Sequence, residues 1–131
     1  MGQPAAKQND QIMAVDIHII LVPTPGGPPV PTPIPHPFSG IIDGDLSADV
    51  NIMGSAAATV GSMATNTPSH IPQGGSFQSP PSNKATIEMG SQTVFINGKA
   101  AARMGDTAKT CNDPSDLPVG TGIAAGTVMI G

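Results

Sequence analysis

Apolar residues recur in this chain at a spacing of two, each time just before a glycine: Val50 and Ile52, Val94 and Ile96, Val128 and Ile130. Side chains at every second position share one face of a strand, so each V-x-I predicts a short strand whose Val and Ile lie on the same face. The Asn-Gly pair in "ING" (96–98) tolerates positive φ at both positions and predicts a hairpin turn. "TIEMG" (86–90) followed by "TVFI" (93–96) reads as a two-strand hairpin packed on its counterparts. The alanine triplets at 56–58 and 100–102 admit three short helices. Gly61 and Gly105 follow within a few residues, however, and favour strands and turns. The longest apolar run, 12–22, is interrupted by Asp16 and His18 and is too short and too polar to span a bilayer.

The pattern belongs to a longer repeat. "VNIMGSAAATVGSMATNT" (50–67) and "VFINGKAAARMGDTAKTC" (94–111) agree at 8 of 18 positions. A third copy is cut in two. "GTVMIG" (126–131) supplies its V-x-I, and "GQPAAK" (2–7) supplies its alanines, with Asp10 standing where the full copy has Asp106. Joining the two chain ends completes the unit, which predicts a closed three-sided object whose termini meet on one side.

Composition makes such an object hard to hold together. Much of the 38% hydrophobic fraction is alanine, Trp and Tyr are absent, and there are three Phe, so the core of this single domain (1–131) is thin. A thin core calls for a staple, and with one Cys an intramolecular disulfide is excluded. Gly and Pro are abundant enough to suggest disorder, but low charge and regular Val/Ile spacing oppose it. Five scattered Lys and Arg within a net charge of −4 offer no patch for nucleic acid or anionic lipid. The first residues lack a basic region followed by an apolar run, so no signal peptide is expected.

The staple has candidates. The histidines are His18, His36 and His70, and the cysteine is Cys111. His18 lies eight residues after Asp10, His70 eight after Ser62, and Cys111 five after Asp106, so each copy sends one soft donor into the loop at the same end. His36 sits in the Pro-rich segment 23–37, where flanking prolines favour a polyproline II loop that presents the ring with little entropy left to lose. Singly, each His reads as a loop residue and the Cys as a small buried hydrophobe. Together, three imidazoles and a thiolate make a closed tetrahedral zinc set of the structural kind. Asp16 reads either as a carboxylate orienting His18 or as a solvated loop residue. Asp43, Asp45 and Asp49 cluster without the order of a calcium loop and read as a solvated turn. A closed set leaves no open position for catalysis, and no nucleophile-elbow or phosphate-loop motif is present.

"TVFINGKAAARMGD" (93–106) closely resembles the core motif of the PAAR family, and "PAAK" (4–7) nearly reproduces its namesake tetrapeptide. The resemblance covers all three copies. It departs at Thr59, where the family has a basic residue, at Ser62, where it has Asp, and in the length of the Pro-rich segment. It implies an all-β cone of three pseudo-threefold hairpin repeats whose tip is held by one structural Zn²⁺ on His18, His36, His70 and Cys111. It further implies a non-enzymatic tip for the trimeric VgrG-like spike of a contractile injection system, of type VI, extracellular-particle or phage kind. One copy would cap one trimer through Val50, Ile52, Val94, Ile96, Val128 and Ile130. Such a tip concentrates contraction force on the target envelope, meets the target membrane transiently and offers loops for effector cargo. It is assembled in the bacterial cytoplasm and ejected on firing. No effector domain is expected on this chain. A small zinc-dependent hydrolase and a secreted adhesin or zinc-stabilised binding protein are the competing readings.

Overall fold

A computed structural model describes residues 2–131, and among them the chain forms strands and no helix. The strands are β1 (Gln3–Pro4), β2 (Gln11–Thr24), β3 (Gly27–Gly44), β4 (Asn51–Ile52), β5 (Ser55–Ala56), β6 (Met63–Asn66), β7 (Ser76–Phe77), β8 (Lys84–Ile87), β9 (Phe95–Ile96), β10 (Lys99–Ala100), β11 (Thr107–Thr110), β12 (Leu117–Ile123) and β13 (Met129–Ile130). Short strands and turns, rather than helices, are thus what the alanine triplets adopt.

The three repeats are joined at their centres by backbone. Ala6 N–H donates to the Ala102 carbonyl at 2.9 Å, Ala102 to Ala58 at 3.0 Å, and Ala58 back to Ala6 at 3.0 Å, a closed ring of three bonds. Each copy then turns through one hairpin: β4 with β5, β9 with β10, and β1 with β13, which pairs Gln3 with Ile130 and so brings the two halves of the split copy together. The same bond closes each unit, from Ala5 to Val128, Ala57 to Val50 and Ala101 to Val94, at 2.9–3.0 Å. Below the ring lies an apolar base of Ile52, Ile96, Ile130, Ala5, Ala57 and Ala101, flanked by Val50 and Val94. Alanine is what this geometry accepts: three backbones meet here, and Ala57 and Ala101 are fully buried.

The departures at Thr59 and Ser62 prove to be one compensated change. In the outer copies an aspartate side chain accepts the N–H three residues before it, Asp10 from Lys7 at 3.0 Å and Asp106 from Arg103 at 2.7 Å, and each aspartate also pairs with that basic side chain. In the middle copy the Ser62 hydroxyl accepts from Thr59 N–H at 3.0 Å and donates to the Asp45 carbonyl at 2.8 Å. Ser62 is fully buried. A carboxylate there would face a carbonyl with no cation beside it, so both charges are dropped together.

Above the ring, β2–β3, β6–β8 and β11–β12 stand as three antiparallel pairs, and the order β12-β11-β8-β6-β3-β2 closes through a β12–β2 pairing. Ile12, Phe38, Ile42, Ile87 and several alanines fill the enclosed space. Two expectations fail here. The hairpin of 86–90 with 93–96 does not form: β8 pairs with β6 and β11, and β9 turns back onto β10. The local turn at Asn97–Gly98 (φ 53° and 78°) outcompetes the longer connection. Nor is the Pro-rich segment a polyproline loop, because it forms most of β3, in register with β2 from Gln11 opposite Ile41 to Thr24 opposite Gly27. Prolines 31, 33, 35 and 37 fall on alternate residues, so every missing N–H lies on the same edge, away from β2.

The turn Met53–Gly54 is the counterpart of Asn97–Gly98, with Met53 at φ 50° and Gly54 at φ 85°. Methionine tolerates this region poorly and asparagine well. Met53→Asn is therefore expected to stabilise the fold by about 0.5–1 kcal/mol, read as a higher denaturant midpoint at unchanged slope. An unchanged or lower midpoint would refute the equivalence of the two turns.

Candidate metal centre

Three elements deliver the site. In the β2–β3 ladder Asp16 lies opposite His36, and His18 follows Asp16 by two residues, so all three share the inward face. His70 comes from the segment after β6, where its N–H donates to Asn83 Oδ1 at 2.8 Å. Cys111 directly follows β11. Asp16, His18, His36 and Cys111 are buried, and the His70 side chain is nearly so.

One donor atom each from Asp16, His18, His70 and Cys111 lies within 4.8 Å of the other three, a group that could hold a metal ion. The closest approaches are His70 Nε2 to Asp16 Oδ2 at 2.9 Å, Cys111 Sγ to the same oxygen at 3.4 Å, and Cys111 Sγ to His18 Nε2 at 3.7 Å. His36 adjoins the group, its ring centre 5.5 Å from that of His18 and 5.6 Å from that of His70. Its Nδ1 lies 2.8 Å from the Ile34 carbonyl. A carbonyl only accepts, so Nδ1 carries the proton and Nε2 the lone pair. That Nε2 is buried without a partner. Leaving a strong acceptor so placed is costly, and a metal ion is the partner that imidazole nitrogens fixed in this way commonly take. Phe77 closes the site over His18 and His36, with ring centres 5.8 and 5.6 Å away.

Asp16 does something other than orient His18. Its Oδ1 accepts from the Thr110 hydroxyl and from Asn112 Nδ2, and its Oδ2 faces His70 and Cys111. The carboxylate thus stands among the donors rather than behind one of them. Its parity with His18 on a strand was visible in the sequence, but its reach to His70 and Cys111 depends on elements more than 50 residues away. Asp43, Asp45 and Asp49 form no such group among the described residues. Asp49 accepts from Asn97 Nδ2 at 2.8 Å and Asp43 from the Thr65 hydroxyl at 3.3 Å.

Electrostatics favour neutral ligands. Burial, and then the neighbouring His70, lower the His18 pKa, so its imidazole stays unprotonated and able to bind. Burial, and then the Asp16 carboxylate, push the Cys111 thiol up to about 11, so in the metal-free protein sulfur keeps its proton and a metal ion must displace it.

The family model for the PAAR motif matches residues 22–114 of the 131. The chain belongs to the PAAR motif family, which is associated with the spike tips of contractile injection systems, a structural role rather than an enzymatic one. No curated protein and no solved structure matches the chain.

Two outcomes follow from this polar cluster. Chelation of metal-loaded protein is expected to lower its melting midpoint by on the order of 10 °C or more, since a loss of even about 3 kcal/mol has that effect in a domain of this size. A midpoint indifferent to chelator would show that the cluster needs no ion. In the chelated protein His18 has a depressed pKa, so the stability it contributes is present above its ordinary value of 6.5 and is lost as the pH falls below it. The chelated protein should therefore melt lower at acid than at neutral pH. A midpoint that rises on acidification would contradict this.

Proposed function

We propose that this chain is the metal-clamped tip of a contractile injection spike, one copy capping one trimer, and that the ion is a structural Zn²⁺ held by His18, His36, His70 and Cys111. The observation that carries the reading is the ring of Ala6, Ala58 and Ala102. It gives a single chain three equivalent edges, which is what a monomer needs to sit on a threefold partner.

His18, His70 and Cys111 are common to both possible sets, and the fourth place is taken here by His36 rather than Asp16. The Asp16 oxygens already accept from or face Thr110, Asn112, His70 and Cys111, whereas His36 Nε2 has nothing. Three nitrogens and a sulfur suit tetrahedral zinc and leave no position for water, which supports a mechanical rather than a hydrolytic role. Asp16 then stays beside the ion as an unligated carboxylate that offsets its charge and hydrogen-bonds around the ligands. On this reading His36→Ala loses the ion, while Asp16→Asn keeps it about 10- to 100-fold more weakly. The reverse order would reassign the ligand.

Of the six residues expected to meet the partner, Val128 is 39% exposed and the isoleucines are largely covered. Ile52, Ile96 and Ile130 are 6%, 8% and 6% exposed, because their side chains pack on one another inside the base. What they leave to a partner is the backbone of their short strands together with the outward neighbours Phe95, Met129 and Met53. Three such contacts made at once act as one multivalent site. Assembly would take place in the bacterial cytoplasm, with ejection on firing and any cargo docked on the loops.

Native mass measurement of the tip with its spike is expected to give one chain per trimer, and Phe95→Asp with Met129→Asp should weaken capping while metal content stays the same. A 3:3 complex, or capping that survives both changes, would rule the geometry out. Ile96→Asp is the poorer probe, since it charges the base core itself.

A further inference from the structure

Beyond the metal cluster the β2–β3 hairpin continues to a turn at Pro25–Gly26, where Gly26 has φ 69°. No Asp, Glu, Lys or Arg occurs from Ile17 to Ile42. The edges of the hairpin are also nearly free of hydrogen-bond donors. On the β2 edge, Ile17 N–H donates to Asn112 Oδ1 at 2.7 Å and Ile19 N–H to Asp113 Oδ2 at 2.8 Å. Leu21 pairs with Ser76 of β7, and the next residue on that edge, Pro23, has no N–H. On the β3 edge the corresponding residues are prolines 31, 33, 35 and 37. The hydroxyls are spent internally: Thr24 donates to the Pro28 carbonyl at 2.8 Å and Thr32 to the Val30 carbonyl at 3.1 Å. What the end of the hairpin shows to its surroundings is Val30, five prolines at 23, 25, 28, 29 and 31, and outward carbonyls.

Prolines on one edge would by themselves suffice to stop strands adding there. They do not account for internally bonded hydroxyls or for the absence of any ionisable side chain from Leu21 to Pro33, features that lower the cost of leaving water. From Val22 to the turn is about four residues, or ~13 Å at ~3.3 Å per residue. That reach matches the headgroup and upper acyl layer rather than a crossing, and the outward carbonyls need hydrated donors of the kind that layer supplies.

Resting on the reading of this chain as a spike tip, we propose that the free end of the β2–β3 hairpin is a lipid-seating element, which enters the bilayer interface through apolar contact without charge attraction. Chain chemistry sets its preference. With no cation on the hairpin and a net charge of −4, seating is expected to be at least as strong on zwitterionic as on anionic bilayers and not to weaken as salt rises.

The chain has no Trp or Tyr, so Val30→Trp introduces a lone reporter at an exposed position. With metal-loaded full-length protein and phosphatidylcholine vesicles, its emission is expected to move to shorter wavelength and to be quenched by lipids brominated high on the acyl chain. Raised salt should not weaken the signal, and adding anionic lipid should not strengthen it. Pro29→Asp in the same background should cut partitioning about tenfold. Emission that stays water-like would overturn the proposal, as would a signal that requires anionic lipid and disappears with salt. If the reporter stays in water while Pro31→Ala with Pro33→Ala causes aggregation, the prolines serve edge protection alone and the proposal fails. The vesicle assay contains no spike, so its failure leaves the capping stoichiometry untouched.

Discussion

Three backbone hydrogen bonds, each alanine donating to the next around a pseudo-threefold axis, are the constraint from which the rest of this structure follows. Three chain segments can close such a ring only if their backbones come close together, and that requires small side chains at the centre and an equivalent exit path for each segment. The two alanine triplets and the Ala5–Ala6 pair meet the first requirement. The V-x-I strand pairs below, two hairpins and the β1–β13 pair, and the paired strands above meet the second. One chain thereby reproduces a symmetry usually built from three, and the copy split between the chain ends is completed by pairing β1 with β13.

The two ends of the molecule are stabilised by different physics. The base is dry and aliphatic, and its three isoleucines are satisfied by each other. The far end buries a carboxylate, three imidazoles and a thiol in a domain with little apolar area to offset them. Hydrogen bonds hold Asp16 in place, the Ile34 carbonyl sets the His36 tautomer and Asp113 Oδ2 lies 3.5 Å from His18 Nδ1, yet His36 Nε2 keeps no partner. A polar cluster left in that state is a liability, and on the proposed reading an ion at its centre would convert it into a clamp joining β2, β3, the segment after β6 and the end of β11.

How far the sequence disclosed this depended on whether the information was local. The repeat and the split copy are written in identities, and the Asn97–Gly98 turn in residue chemistry. The matching turn at Met53–Gly54 was hidden, since methionine carries no turn signal. Proline abundance in 23–37 suggests polyproline geometry, whereas the alternation of proline with other residues is what admits the segment to a sheet edge. The hairpin assigned to 86–96 failed because β8 finds partners in β6 and β11, both distant in sequence. The soft donors were visible as residue types, but the place of Asp16 among them follows from tertiary contacts with His70 and Cys111 alone. The isoleucines were correctly placed on one strand face, and that face turned inward.

The claim at the centre of this account is that a threefold base is closed at its far end by one ion on three imidazoles and one thiolate. X-ray absorption at the zinc edge of the purified protein tests it most directly. The account predicts a single four-coordinate zinc per chain with one sulfur near 2.3 Å and three nitrogen scatterers at about 2.0–2.1 Å. A first shell without sulfur, or a protein purified without stoichiometric metal, would contradict it.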